Sequence, residues 1–155
     1  MWPYSKTPLT LQILIVEDEE NLALLQKRCL EKAGHRVFIA DSGEKALQLL
    51  EQQKINVVLL DQKLPAMAGA EVFARIIYKG FDVSIVMITG HDDDHLAHQS
   101  LDFGADDYIF KDASLSYIKA LPRIVKRCWK QHEIKREYHR LQKESILFKN
   151  SLETL

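Results

Sequence analysis

Short apolar runs alternate with longer segments of helical periodicity along most of this chain. Residues 11–16 (LQILIV), 36–40 (RVFIA), 56–60 (NVVLL), 83–88 (VSIVMI) and 106–110 (DDYIF) are rich in Val, Ile, Phe or Tyr and too short for stable helices. Each predicts a strand. The central runs are apolar nearly throughout, as suits strands covered on both faces. Three of the intervening helical segments stop at a glycine, at Gly34, Gly80 and Gly104, the residue type that suits the left-handed position after a helix. Ser42 precedes EKALQLLEQQ and is expected to cap it through its hydroxyl. Strict alternation of strand and helix with short connections predicts an open parallel sheet with helices on both faces and right-handed crossovers.

The pattern changes after Leu115. Leu115, Ile118, Leu121 and Val125 suit a fifth helix packed on the sheet, but Pro122 lacks the N–H that a helix interior needs. A short turn is therefore expected, then a helix with Pro122 near its first position. Farther on, Ile134, Tyr138, Leu141, Ser145, Phe148, Leu152 and Leu155 follow alternating steps of four and three, the spacing of an a/d seam. A single domain has no surface left to bury this stripe, so it is expected to meet a partner helix, most simply that of a second copy.

Composition sharpens the division. With 155 residues, 46% hydrophobic and 28% charged, the chain suits one ordinary domain with an appendage. Its formal net charge of −1 hides a contrast between residues 1–112, at −7, and residues 113–155, at +6. No apolar run approaches the roughly 18 residues of a membrane span, and MWPYSKTP is no secretory leader, so a cytoplasmic protein is expected. Cys29 and Cys128 lack CxxC or His/Cys spacing and read as packing residues rather than a disulfide or zinc site.

In an open parallel sheet, ligands bind outside the carboxyl ends of the strands. Glu17 and Asp18 follow the first strand candidate, Asp61 the third, Thr89 and the small Gly90 the fourth, and Lys111 the fifth, while Asp41-Ser42 after the second opens a helix. Three converging carboxylates repel one another unless a cation intervenes. A hard divalent ion such as Mg2+ would bind through them and complete its shell with water and a phosphoryl group. Asp61 is then the expected nucleophile, Glu17 and Asp18 the ion's holders, and Lys111 and Thr89 contacts for phosphoryl oxygens.

The runs ILIVEDEE, VVLLDQKLPAMAG, IVMITG and GADDYIFKD, in this order and each at a strand end, resemble the motifs of response-regulator receiver domains. The resemblance covers residues 11–125, leaving 1–10 as an extension and 126–155 as a helical linker expected to form a coiled coil. It implies an α/β, flavodoxin-like, doubly wound sheet in the order 2-1-3-4-5. It also implies Mg2+-dependent transfer of a phosphoryl group to Asp61 from the phosphohistidine of a sensor kinase or phosphotransfer protein. Carried over by position, Glu17 and Asp18 form the acidic pair, with Glu where the first Asp is commoner. Lys63 lends a backbone carbonyl to the metal, Thr89 is the switch hydroxyl, Tyr108 the switch aromatic, and Lys111 the conserved-type lysine. The phosphorylated state would draw Thr89 inward, let Tyr108 rotate and reshape the surface of the fourth helix, fifth strand and fifth helix. The proline that usually follows the lysine is Asp112 here, which puts the loop geometry in question and sets a carboxylate where it would compete for Lys111.

Other readings are weaker. A phosphatase of the haloacid-dehalogenase type needs a second Asp two residues beyond the nucleophile, where this chain has Lys63. The protein is thus expected to be a phosphoacceptor rather than an enzyme. Nucleic-acid binding would rest on Lys119, Arg123, Lys126, Arg127, Lys130, Lys135 and Arg136, which spread around a helix instead of sharing one face. A basic helix docked on an acidic domain accounts for them more simply. His91, His95 and His98 with Asp92, Asp93 and Asp94 read as the polar start of a helix rather than a transition-metal site, and His132-Glu133 as surface residues. The pattern is still running at SLETL, and the segment after Lys111 resembles the link between a receiver and a PAS-type sensory domain, kinase or cyclase, so an output module is expected downstream. A free-standing receiver, or a phosphorylation-independent one that acts as a dimer scaffold, are the alternatives.

Overall fold

The computed structural model describes residues 10–90, 102 and 104–154. The elements are β1 (Gln12–Val16), α1 (Glu20–Lys32), β2 (Arg36–Ala40), α2 (Gly43–Gln52), β3 (Val57–Asp61), α3 (Gly69–Lys79), β4 (Ser84–Thr89), β5 (Asp107–Phe110) and α4 (Tyr117–Glu153). All four strand pairings are parallel, and the sheet order is β2-β1-β3-β4-β5. The expected helix ending at Gly104, with His91, His95 and His98, falls almost wholly outside the described residues.

Alternation along the strands divides the core in two. Ile13, Ile15, Val57, Leu59, Val86 and Ile88 face the layer of α1 and α4. Leu14, Val16, Val58, Leu60, Ile85 and Met87 face α2 and α3. Asn56 lies just before β3, where its Oδ1 accepts the Gln12 N–H at 2.7 Å. At the other end β3 reaches Asp61, which pairs with Ile88 and so takes its position from the sheet rather than from a loop.

The helix ends follow local chemistry. The Ser42 hydroxyl accepts the Lys45 N–H at 3.3 Å, as its position predicts. Gly80, at φ 73°, closes α3 in the left-handed conformation.

The expectation for Pro122 is corrected: α4 begins at Tyr117, and Pro122 lies inside it. The proline removes the N–H that would reach the Ile118 carbonyl, an interior defect that costs about 3 kcal/mol when uncompensated. Starting the helix early buries Tyr117, Ile118 and Leu121, each worth about 1.5–3 kcal/mol, so burial wins. The stranded Ile118 carbonyl also finds a donor, the Cys29 thiol of α1 at 3.3 Å. Both cysteines are free. Cys128 is buried in the α1/α4 layer, and burial pushes its thiol up to about 11.

Along α4 the buried residues run as far as Trp129. The segment beyond it first crosses the amino-terminal ends of β4 and β5. Arg127, just before Trp129, pairs with Asp107, and beyond it Lys135 pairs with Asp106 at 3.6 Å and Asp82 with both His132 at 2.8 Å and Arg136. Three residues of the basic stretch thus hold the helix to its own domain. From Tyr138 to Thr154 every side chain is exposed, and these residues project beyond the sheet. Among the described residues, no helix is long and apolar enough to cross a membrane.

Candidate functional site

The carboxyl ends of β1, β3, β4 and β5 bring the expected residues to one edge of the sheet. Glu17 follows β1, with its N–H on the Ala40 carbonyl at 3.0 Å, while Asp61 ends β3. Lys111 follows β5, and its backbone N–H is fixed on the Thr89 carbonyl at 2.8 Å. From there its ammonium reaches Asp61 Oδ2 at 2.9 Å and Glu17 Oε2 at 3.1 Å. Asp18 is exposed beside them, and one carboxylate oxygen from each of Glu17, Asp18 and Asp61 lies within 4.8 Å of the others.

The electrostatics are those of a crowded acidic site. Burial, and then the neighbouring Asp61, push the Glu17 carboxyl up to about 8 against the opposing pull of Lys111. Burial works against the Lys111 ammonium, but hydrogen bonds and charges from Asp61 and Glu17 outweigh it and raise its pKa. Octahedral Mg2+ holds oxygens at about 2.1 Å, which puts ligand oxygens about 3–4 Å apart. Three hard oxygen donors within 4.8 Å fit such an ion after a small inward movement. An open cleft of about 480 Å³ lies beside Glu17 and Asp18, walled by Leu24, Ile39 and Lys45.

The other expected residues take distinct places. The Lys63 N–H donates to Asp61 Oδ1 at 3.3 Å. Thr89 is fully buried, and its hydroxyl has no hydrogen-bond partner among the described residues. Tyr108 is half-buried, its ring edge-on to Phe110 at 5.1 Å.

Asp112 does not compete for Lys111. The peptide bond that joins them is trans, and the Asp112 carboxylate turns to the start of α4. It accepts the hydroxyls of Ser114 and Ser116 and the N–H groups of Ser116 at 3.1 Å and Tyr117 at 3.2 Å. The Ser114 and Ser116 hydroxyls hold this carboxyl well below the ordinary range. A residue one step from the site lysine thus anchors the long helix.

Sequence reasoning gave no role to Gly69, although it ends the quoted run VVLLDQKLPAMAG. A Cβ there would lie 2.2 Å from the Asp61 carbonyl oxygen, so only glycine lets α3 start directly behind the Asp61 backbone. The Gly69 N–H closes the loop on the Gln62 carbonyl at 3.0 Å. Gln26 was also missed: its side-chain amide donates to the Tyr117 hydroxyl at 3.1 Å and ties α1 to the start of α4. A lone Gln on a helix carries no sequence signal for a partner 91 residues away.

Comparison with known proteins agrees with this geometry. The family model for the response regulator receiver domain matches residues 13–122. The chain is 34% identical over 116 residues to the alkaline phosphatase synthesis transcriptional regulatory protein PhoP of Bacillus subtilis, covering 75% of this chain and 48% of that one. It is 34% identical over 107 residues to a cyclic di-GMP phosphodiesterase of Thermotoga maritima, covering 69% of this chain and 28% of that one. The chain therefore spans half or less of the length of these relatives. Among solved structures, response regulator protein TrrA of Thermotoga maritima, in complex with Mg(2+)-BeF, superposes with a TM-score of 0.62 at 29% identity, covering 74% of this chain and 97% of that one. With the sheet order, the acidic cluster at its carboxyl edge and a family match over most of its length, the chain belongs to the response regulator receiver domain family.

Proposed function

We propose that this chain is the phosphoacceptor of a two-component relay and not an enzyme in its own right, with Asp61 as the acceptor. A histidine kinase or phosphotransfer protein presents a phosphohistidine. An Asp61 oxygen attacks phosphorus, the P–N bond breaks, and the imidazole leaves with its electron pair and takes a proton, so that an aspartyl phosphate remains. Glu17, Asp18 and Asp61 would hold Mg2+, with the Lys63 backbone carbonyl as a further ligand, and the bound ion would neutralise charge on the transferred oxygens. The observation that carries the reading is the convergence of Asp61, two further carboxylates and the Lys111 ammonium at one strand edge.

After transfer, Lys111 moves from the Asp61 carboxylate to a phosphoryl oxygen. The buried Thr89 hydroxyl turns to another, and Tyr108 follows into the space it leaves. Output passes through this surface and through α4, whose anchor Asp112 adjoins Lys111. A second copy covers the exposed seam of α4, and an output module of a larger cytoplasmic signalling protein follows it. The test is labelling with a small phosphodonor and Mg2+: the wild type should be labelled and Asp61→Asn should not. Undiminished labelling of the variant would remove Asp61 from the site. A wild type that is never labelled by donor or kinase would leave only a phosphorylation-independent scaffold.

A further inference from the structure

The projecting part of α4 carries a charge pattern that distinguishes one pairing from the other. Docking to the domain ends with Lys135 and Arg136, which are engaged by Asp106 and Asp82. Beyond them about 17 residues of bare helix extend some 25 Å at about 1.5 Å per residue. Tyr138, Leu141, Phe148 and Leu152 are large apolar side chains between 49% and 68% exposed on this segment. With Tyr138, Ser145 and Leu152 at a and Leu141 and Phe148 at d, the flanking g positions are Glu137, Glu144 and Ser151, and the e positions are Gln142 and Lys149.

We propose that this segment pairs with the same segment of a second copy as a parallel, in-register, two-stranded coil that begins at Tyr138. The inference rests on the reading that a second copy covers the seam, and adds its direction and register. In a parallel pair each g residue faces the e residue five positions on in the other helix. Glu144 then faces Lys149, twice by symmetry, and Glu137 faces the neutral Gln142. In an antiparallel pair g faces g and e faces e, so Glu144 never faces Lys149 and the complementary pairs are lost. Arg140 spans Glu137 and Glu144 along the outside of the same helix, and the exposed Glu144 carboxylate keeps acceptor capacity for the other strand. Ser145, the central a residue, meets its own copy only when the strands are parallel and in register, so its polarity selects that arrangement. Ile146 and Leu147 fall at b and c, outside a two-stranded contact. The dimer is isologous, with both receiver domains at one end of the coil.

Sedimentation of the chain should show a concentration-dependent dimer. Ser145→Cys should join two copies by a disulfide under mild oxidation, while the wild type, whose Cys128 is buried and Cys29 half-buried, stays unlinked. Lys149→Glu should weaken dimerisation about three- to tenfold, and adding Glu144→Lys should restore it, because the pair is reversed. A dimer in which Ser145→Cys does not link and Lys149→Glu has no effect overturns the parallel register but leaves the second copy in place. A chain that stays monomeric at every concentration reached removes the second copy and the register with it, and a trimer or tetramer overturns the two-stranded contact.

Discussion

The two ends of the sheet carry similar clusters of carboxylates and treat them in opposite ways. At the carboxyl ends, Glu17, Asp18 and Asp61 crowd together, with Lys111 between two of them. At the amino ends, Asp82, Asp106 and Asp107 each meet a basic side chain of α4. The first arrangement leaves a surplus of negative charge beside a cleft and raises a buried carboxyl. The second holds Asp82 below its ordinary range, because hydrogen bonds from His132 and Arg136 overcome the opposing effect of burial. Surplus charge leaves room for a cation; matched charge orients a helix that burial holds.

The strongest way to break the docked end is through its apolar support. Trp129 is buried, stacks on His132 at 5.4 Å and lies under the Arg136 guanidinium. Trp129→Ala should cost about 3–5 kcal/mol in urea unfolding. The folded fraction should still accept a phosphoryl group, since the ring is remote from Asp61.

The crowded end is broken by titration. A carboxyl with a higher pKa folded than unfolded favours the folded state while it keeps its proton, and that contribution is lost as the proton leaves. For Glu17 the window runs from its ordinary value of 4.5 to about 8. Without divalent cations, Tm should fall by roughly 5 °C or more across it. Glu17→Gln should flatten that profile, and Mg2+ should offset the fall in the wild type at pH 8. A wild-type Tm independent of pH over this range would show that the crowding carries no energetic penalty.

The smallest effect belongs to exposed Asp82, which pairs with both His132 and Arg136. Asp82→Asn should cost about 0.5–1 kcal/mol, and high salt should erase the difference from wild type. A loss as large as that of Trp129→Ala would mean that charge rather than burial docks the helix.

Much of the core and the site could be read in sequence because it is local. Five apolar runs predicted five strands to within a residue at each end, and Ser42 and Gly80 marked helix boundaries through their own backbone chemistry. The site residues were legible because a parallel sheet brings all its carboxyl ends to one edge. The start of α4 was not: Pro122 is a strong local signal, overridden by the burial of Tyr117, Ile118 and Leu121 and by a thiol from α1 that serves the stranded carbonyl. Asp112 read as a competitor for Lys111, because nothing in sequence shows which way a side chain turns. Its four hydrogen-bonding groups come from Ser114 and Ser116 of the loop and from Tyr117 at the start of α4.

By itself, the sequence determined which residue types stand at the strand ends, where the apolar faces lie, and that an acidic segment precedes a basic one. These are properties of neighbours along the chain, governed by periodicity and local backbone preference. Only the tertiary structure decided which charges are matched. Lys111 and Glu17 are 94 positions apart, and Arg136 and Asp82 are 54 apart. Coulomb energy falls with distance in space and takes no account of distance in sequence. The same excess of acids could have been spread evenly; folding left it crowded around Asp61 and matched at the other end.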